Sequence, residues 1–118
     1  MTIETYLVNY LTGALTNIPV SGSAPRSKPA KFVTLEKTGE RVVNFIPKAT
    51  VAVQSWALTR ADAMALNEDV KAAMAAILAQ PEIMSCKLNS DYNYPYQASN
   101  RPRYQAVFEI VYDHNISA

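Results

Sequence analysis

The sequence predicts an α+β domain in which two helices pack on one face of a mostly antiparallel sheet of about four to five strands. Three observations lead there. Apolar residues recur at three- and four-residue steps in two segments, near residues 3–14 and 63–78, which is the spacing of a helix face. Shorter stretches rich in Val, Ile, Phe, Tyr and Thr alternate as strands do. The composition, 49% hydrophobic and 18% charged, is that of a globular chain, and 118 residues fit one domain over 1–118.

Taken in order, Ile3, Tyr6, Leu7, Tyr10, Leu11 and Ala14 stack on one helix face, with Thr2 placed to cap it. Asn17 to Val20 extends briefly. "SGSAPRSKPA", residues 21–30, then breaks every periodicity and is expected to be a loop. "KFVTLEKTGERVVNFI" alternates on both sides of "TGE", which predicts a hairpin turning near Gly39. Thr50 to Leu58 alternates again, with Ala52, Gln54, Trp56 and Leu58 facing one way, and its mixed apolar character predicts an interior strand.

Thr59 followed by Arg60, Ala61 and Asp62 sets an acid at the third position after a hydroxyl cap. The helix it opens is expected to run from Arg60 to Ala79, burying Ala63, Leu66, Val70, Ala73, Met74, Ile77 and Leu78 and leaving Asn67, Glu68 and Lys71 wet. Gln80 and Pro81 end it. Ile83 to Leu88 reads as a short strand and "RYQAVFEIVYDH" as a long one, with Tyr104, Ala106, Phe108, Ile110 and Tyr112 sharing a face.

The net charge of +1 gives no global pull toward nucleic acid or membrane. Cations are nevertheless concentrated in residues 21–50, where Arg26, Lys28, Lys31, Lys37, Arg41 and Lys48 face only Glu36 and Glu40. A single cysteine, Cys86, excludes an internal disulfide and fits a reducing compartment. The opening "MTIETYLVNYLTGAL" lacks the basic start of a secretion signal, and apolar runs fall short of the ~20 residues of a membrane span. No membrane association is expected.

Nor does a catalytic constellation emerge, and an enzyme is not expected. His114 reads as a solvated residue near the chain end, Cys86 as a small buried hydrophobe, and Asp62 as a cap. Glu68 and Asp69 are adjacent and so diverge around their helix. Glycines at 13, 22 and 39 are too dispersed for a phosphate loop, and neither metal-ligand spacing nor a cofactor motif is present.

One stretch calls for a partner. "SDYNYPYQASNRPRYQ", residues 90–105, gathers Tyr92, Tyr94 and Tyr96 with Arg101 and Arg103 ahead of the last strand. Aromatic rings beside cations could stack on bases. The balanced overall charge argues against specific nucleic-acid binding. Tyrosine and arginine are equally the residues enriched at protein interfaces, so an assembly surface needs fewer assumptions.

Three segments carry a resemblance: "IPVSGSAPRSKPAKFVTLEKTGERV" from Ile18, "ATVAVQSWALTRADAMALNEDVKAAM" from Ala49, and "RPRYQAVFEIVY" from Arg101. In their order and spacing the chain resembles the tail-terminator or tail-completion (head-tail joining) proteins of long-tailed bacteriophages. The resemblance implies a virion subunit, made in the host cytoplasm, that forms a homo-oligomeric ring, commonly a hexamer. Such a ring caps the head-proximal end of the tail tube, stops its growth and offers a joining surface to a head-completion or connector protein. Its contacts would be heterologous. Arg26, Lys28 and Lys31 are assigned to one contact surface and Tyr92, Tyr94, Tyr96, Arg101 and Arg103 to a second, on loops 21–31 and 90–103. The alternatives are a portal-side neck component and a small nucleic-acid-binding α+β module.

Overall fold

The computed structural model describes residues 1–117. Two helices and a five-stranded, mostly antiparallel sheet make up an α+β fold, as the periodicities predict. Helix α1 (Ile3–Ala14) begins at Thr2, whose hydroxyl accepts the Thr5 amide proton at 3.1 Å, satisfying a donor that the first turn would leave orphaned. Its buried stripe is Ile3, Leu7, Leu11 and then Leu15; Ala14, expected on that stripe, is exposed because the four-residue spacing runs to Leu15.

Strand β1 (Val20–Ser21) is two residues long and runs parallel to β2 (Phe32–Val43) at Val33 and Thr34. The turn expected near Gly39 is not there. Strand β2 passes straight through Gly39, where the register shifts as in a bulge, and reverses only at Asn44 and Phe45 before β3 (Ile46–Trp56). Both turn residues have left-handed backbones, φ 51 and 65, as a two-residue loop matched to strand twist requires. Strand β3 therefore starts earlier than the expected Thr50 and ends at Trp56, leaving Leu58 exposed. Pro47 is tolerated within it because pairing with the next strand over stops at Lys48, so no amide donor is needed there.

Helix α2 (Arg60–Ala76) is capped as expected, Thr59 Oγ1 accepting the Asp62 amide at 3.1 Å. The chain tightens into a 3-10 turn over Ile77–Ala79, which rotates Leu78 off the stripe and into solvent. Asn67, expected on the wet side, is 2% exposed. Its Nδ2 donates to Asp91 Oδ2 at 3.4 Å, and that carboxylate reaches α2 because β4 (Ile83–Asn93) continues past the predicted end at Leu88. A register shift between Leu88 and Ser90 lets β4 stay paired with β5 (Arg103–Tyr112) as far as Asn93 and Tyr104.

The sheet order is β1-β2-β3-β5-β4. Val33, Leu35, Ala49, Val51, Val53, Ala106, Phe108, Ile110 and Tyr112 alternate along their strands and join the apolar residues of α1 and α2 in one buried cluster. The opposite positions, among them Thr34, Gln54, Trp56, Arg103 and Gln105, point to the other side of the sheet and build the surface described next.

Candidate assembly surface

On that side Phe32 and Trp56 lie stacked, ring centroids 5.1 Å apart, yet they are only 1% and 3% exposed. What covers them is the segment read from sequence as a loop. Beyond Asn93 the β4–β5 hairpin continues, with the Tyr94 amide on Arg103 O at 2.8 Å and the Tyr96 amide on Arg101 O at 3.0 Å. Only residues 97–100 form the tip between the bridged pair Tyr96 and Arg101. Tyr96 leans on Trp56 at 5.4 Å.

Arg103 sits inside this aromatic group. Its guanidinium carbon is 4.4 Å from the ring centre of Tyr94, 4.8 Å from Trp56 and 5.3 Å from Tyr96, and its Nε donates to Tyr94 O at 2.7 Å. Such cation–ring contacts are worth about 0.5–2 kcal/mol each, more as water is excluded. Arg101 lies over Phe32 at 5.3 Å and donates from Nη2 to the carbonyls of Pro29 and Ala30, the latter at 3.0 Å. It thereby ties the end of the 22–31 loop to the hairpin.

A directional chain of hydrogen bonds crosses four strands beside these rings. Trp56 Nε1 donates to Thr34 Oγ1 (2.9 Å), Thr34 to Gln54 Oε1 (2.7 Å), Gln54 Nε2 to Gln105 Oε1 (2.7 Å), and Gln105 Nε2 to the Tyr92 hydroxyl oxygen (2.5 Å). Each of these five side chains has a partner within the chain of bonds, so the polar stripe holds register rather than costing stability. Tyr92 also meets Tyr94 edge-on at 5.8 Å.

The residues predicted for two contact surfaces are thus brought together only in part. Tyr92, Tyr94, Tyr96, Arg101 and Arg103 form one cluster, while Lys28 borders a shallow depression with Tyr96 and Arg101. Arg26 and Lys31 stand exposed on the loop, without a side-chain partner among the described residues. The expectation that 90–103 is a long free loop is corrected: β-pairing runs through most of it.

A second region went unrecognised in the sequence. The β2–β3 hairpin projects beyond the sheet, since β5 pairs with β3 only as far as Lys48, and the molecule measures 43 × 24 × 24 Å. At the end of this arm Val42, Val43, Phe45 and Ile46 are all exposed, Phe45 at 88%. The available signal was "VVNFI", an Asn-initiated two-residue turn flanked by β-branched residues. Placing the turn at Gly39 hid it by making those residues interior to a strand.

Elsewhere, Cys86 is half-buried against the core, and burial pushes its pKa from 9.0 up to about 11, so the thiol stays protonated at neutral pH and is a weak nucleophile. His114 is solvated in a terminal 3-10 turn, Nδ1 3.6 Å from Asp113 Oδ1. Among the described residues no cluster of His, Cys, Asp and Glu could hold a metal ion, and no helix is long and apolar enough to cross a membrane. No protein-family model matches the chain, and no curated protein matches it.

Proposed function

We propose that this chain is a structural subunit of the tail-terminator kind: identical copies close into a ring, a hexamer by resemblance, that caps a phage tail tube and offers the joining surface for the head. The observation that carries this reading is the projecting β2–β3 arm. A small protein rarely leaves four neighbouring apolar side chains in water unless another surface covers them. An arm at one end of an elongated subunit supplies one half of a heterologous contact, the kind that repeats around a ring. The resemblance in the three sequence segments supplies the biological setting.

The aromatic cluster and the balanced charge favour assembly over nucleic-acid binding. Trp56 is 3% exposed and Arg103 lies over one face each of Trp56, Tyr94 and Tyr96, so the tyrosine surface left in solvent, 39–46% of each, is not an open stack of rings for bases. Electron microscopy of purified protein mixed with tail tubes tests the reading. Density at one end of each tube, with elongation stopped, is the expected result. Tubes that keep growing with both ends bare, or salt-dependent retention of a labelled oligonucleotide in place of tube binding, would overturn it. Attachment to tailless filled heads alone would move the subunit to the portal side.

A further inference from the structure

We propose that the arm of one copy docks in a groove between α1 and α2 of the next, with Phe45 in the groove and Arg41 paired to Asp69. This deepens the ring reading by naming its contact, and rests on that reading only for the biological setting. The groove has a volume of about 480 Å3 and is lined by Leu15, Ile18, Ala72, Ala73, Ala76 and Asp69. Tyr10 walls it, donating from its hydroxyl to Ala73 O at 2.6 Å and so holding the helices at a fixed spacing. Most of the lining residues are apolar, and the alanines let a bulky side chain approach the helix backbone.

Charge selects this groove over the other depressions with apolar lining. The two at the β4–β5 hairpin are bordered by Lys28 and Arg101 or by Arg103 and would repel a basic arm, and the one formed by Met1, Tyr6 and Tyr10 has no carboxylate in its lining to receive Arg41. On the arm and its root, Lys37 is held by Glu40 at 3.6 Å and Lys48 by Glu109 at 3.5 Å. Arg41 is exposed and has no ion pair among the described residues. On α2, Glu68 is held by Lys71 at 2.9 Å, whereas Asp69 at the groove is likewise exposed and unpaired among the described residues. One spare cation on the arm meets one spare carboxylate at the groove.

The spacing agrees. From Arg41 to the turn at Phe45 the arm advances roughly 7–10 Å at strand rise. From Asp69 to Ala76 the helix advances about 10 Å. An arm lying along α2 with its cation on Asp69 therefore sets its tip over Ala73 and Ala76. The arm leaves its own sheet at the end farthest from Trp56, and its tip is almost wholly exposed, so it does not fill its own groove. Arm and groove are different patches, and their contact propagates head to tail until a ring closes.

Analytical ultracentrifugation of the full chain and four variants tests this. Wild-type protein should associate with increasing concentration. Phe45→Ser should weaken association about a hundredfold, and Arg41→Glu or Asp69→Arg alone about tenfold. The double variant Arg41→Glu with Asp69→Arg should return to within about threefold of wild type, which a merely structural role for either residue would not produce. Thermal melts confirm that each variant is folded. Association unaffected by Phe45→Ser, or reversals that do not rescue one another, would overturn the arm contact while leaving tube capping standing. A wild-type chain monomeric at every concentration overturns the contact whatever the tubes show. Rescue of association together with bare tube ends sustains the contact and removes the capping role.

Discussion

The two hairpins of this sheet make opposite use of similar residues. At one end, the β4–β5 hairpin folds Tyr96, Arg101 and Arg103 inward over Phe32 and Trp56, with Tyr94 on the outer side of Arg103 and Tyr92 beside it. At the other, the β2–β3 hairpin carries Val42, Val43, Phe45 and Ile46 beyond the last β3–β5 pair and leaves them in solvent. The difference lies in what stands behind each tip. Behind the first is a wide sheet face with guanidinium groups to bridge the rings; behind the second the sheet has ended, so the tip has no surface of its own chain to bury. Aromatic content in a segment therefore does not measure the surface it offers to a partner.

The sharpest way to break this comparison is Trp56→Ala. If the β4–β5 hairpin is a roof, removing the indole leaves a cavity under it and takes away the hydrogen bond that the Thr34 hydroxyl accepts, costing about 3–5 kcal/mol in a urea titration. A loss under about 1 kcal/mol would mean that the roof rests on something else. Next in size, Arg103→Ala should cost about 1–3 kcal/mol, and Arg103→Lys should recover only part, because an ammonium lacks the broad planar guanidinium that reaches three rings and the Nε–H that bonds Tyr94 O. Arg26→Ala on the free loop serves as the baseline, within about 0.5 kcal/mol.

Phe45→Ser sharpens the contrast from the other side. The same class of change, loss of an aromatic side chain from a hairpin, should shift monomer stability by no more than about 0.5 kcal/mol, since the ring leaves no contact behind. A large loss measured on monomeric protein would show that the arm packs on its own chain.

The smallest effect belongs to Cys86. Its pKa is raised from 9.0 to about 11 by burial, so the folded state holds the thiol proton more tightly than the unfolded chain does. Its contribution is fully present below about pH 9 and is lost as pH rises through about 11. Alkylation by iodoacetamide at pH 8 should accordingly be slow in folded protein and fast in urea. Equal rates would place the thiol in solvent.

Much of the fold was legible because it is written in local periodicity. Thr2 and Thr59 cap where a hydroxyl precedes an apolar stripe, and β5 alternates over its whole length. The errors fall where a residue's role depends on a distant partner. Gly39 looked like a turn and is a bulge, because β3 pairs on both sides of it. Asn67 looked wet and is buried, because Asp91 arrives from a strand whose length β5 sets. At the surface, Tyr92, Tyr94, Tyr96, Arg101 and Arg103 were legible as a group, but nothing local says that the guanidinium of Arg103 lies among the rings rather than toward a partner.

Residue order alone determined the two helices, their caps, the strands with clear alternation and the α+β class, since each depends on interactions within a few positions along the chain. Tertiary structure decided where the strands end, which aromatic rings are covered and which hairpin is left projecting. Those outcomes turn on pairing and stacking between segments tens of residues apart, as with Trp56 against Phe32 and Arg103, or β5 stopping short of Pro47. Short-range spacing carries no record of such distances.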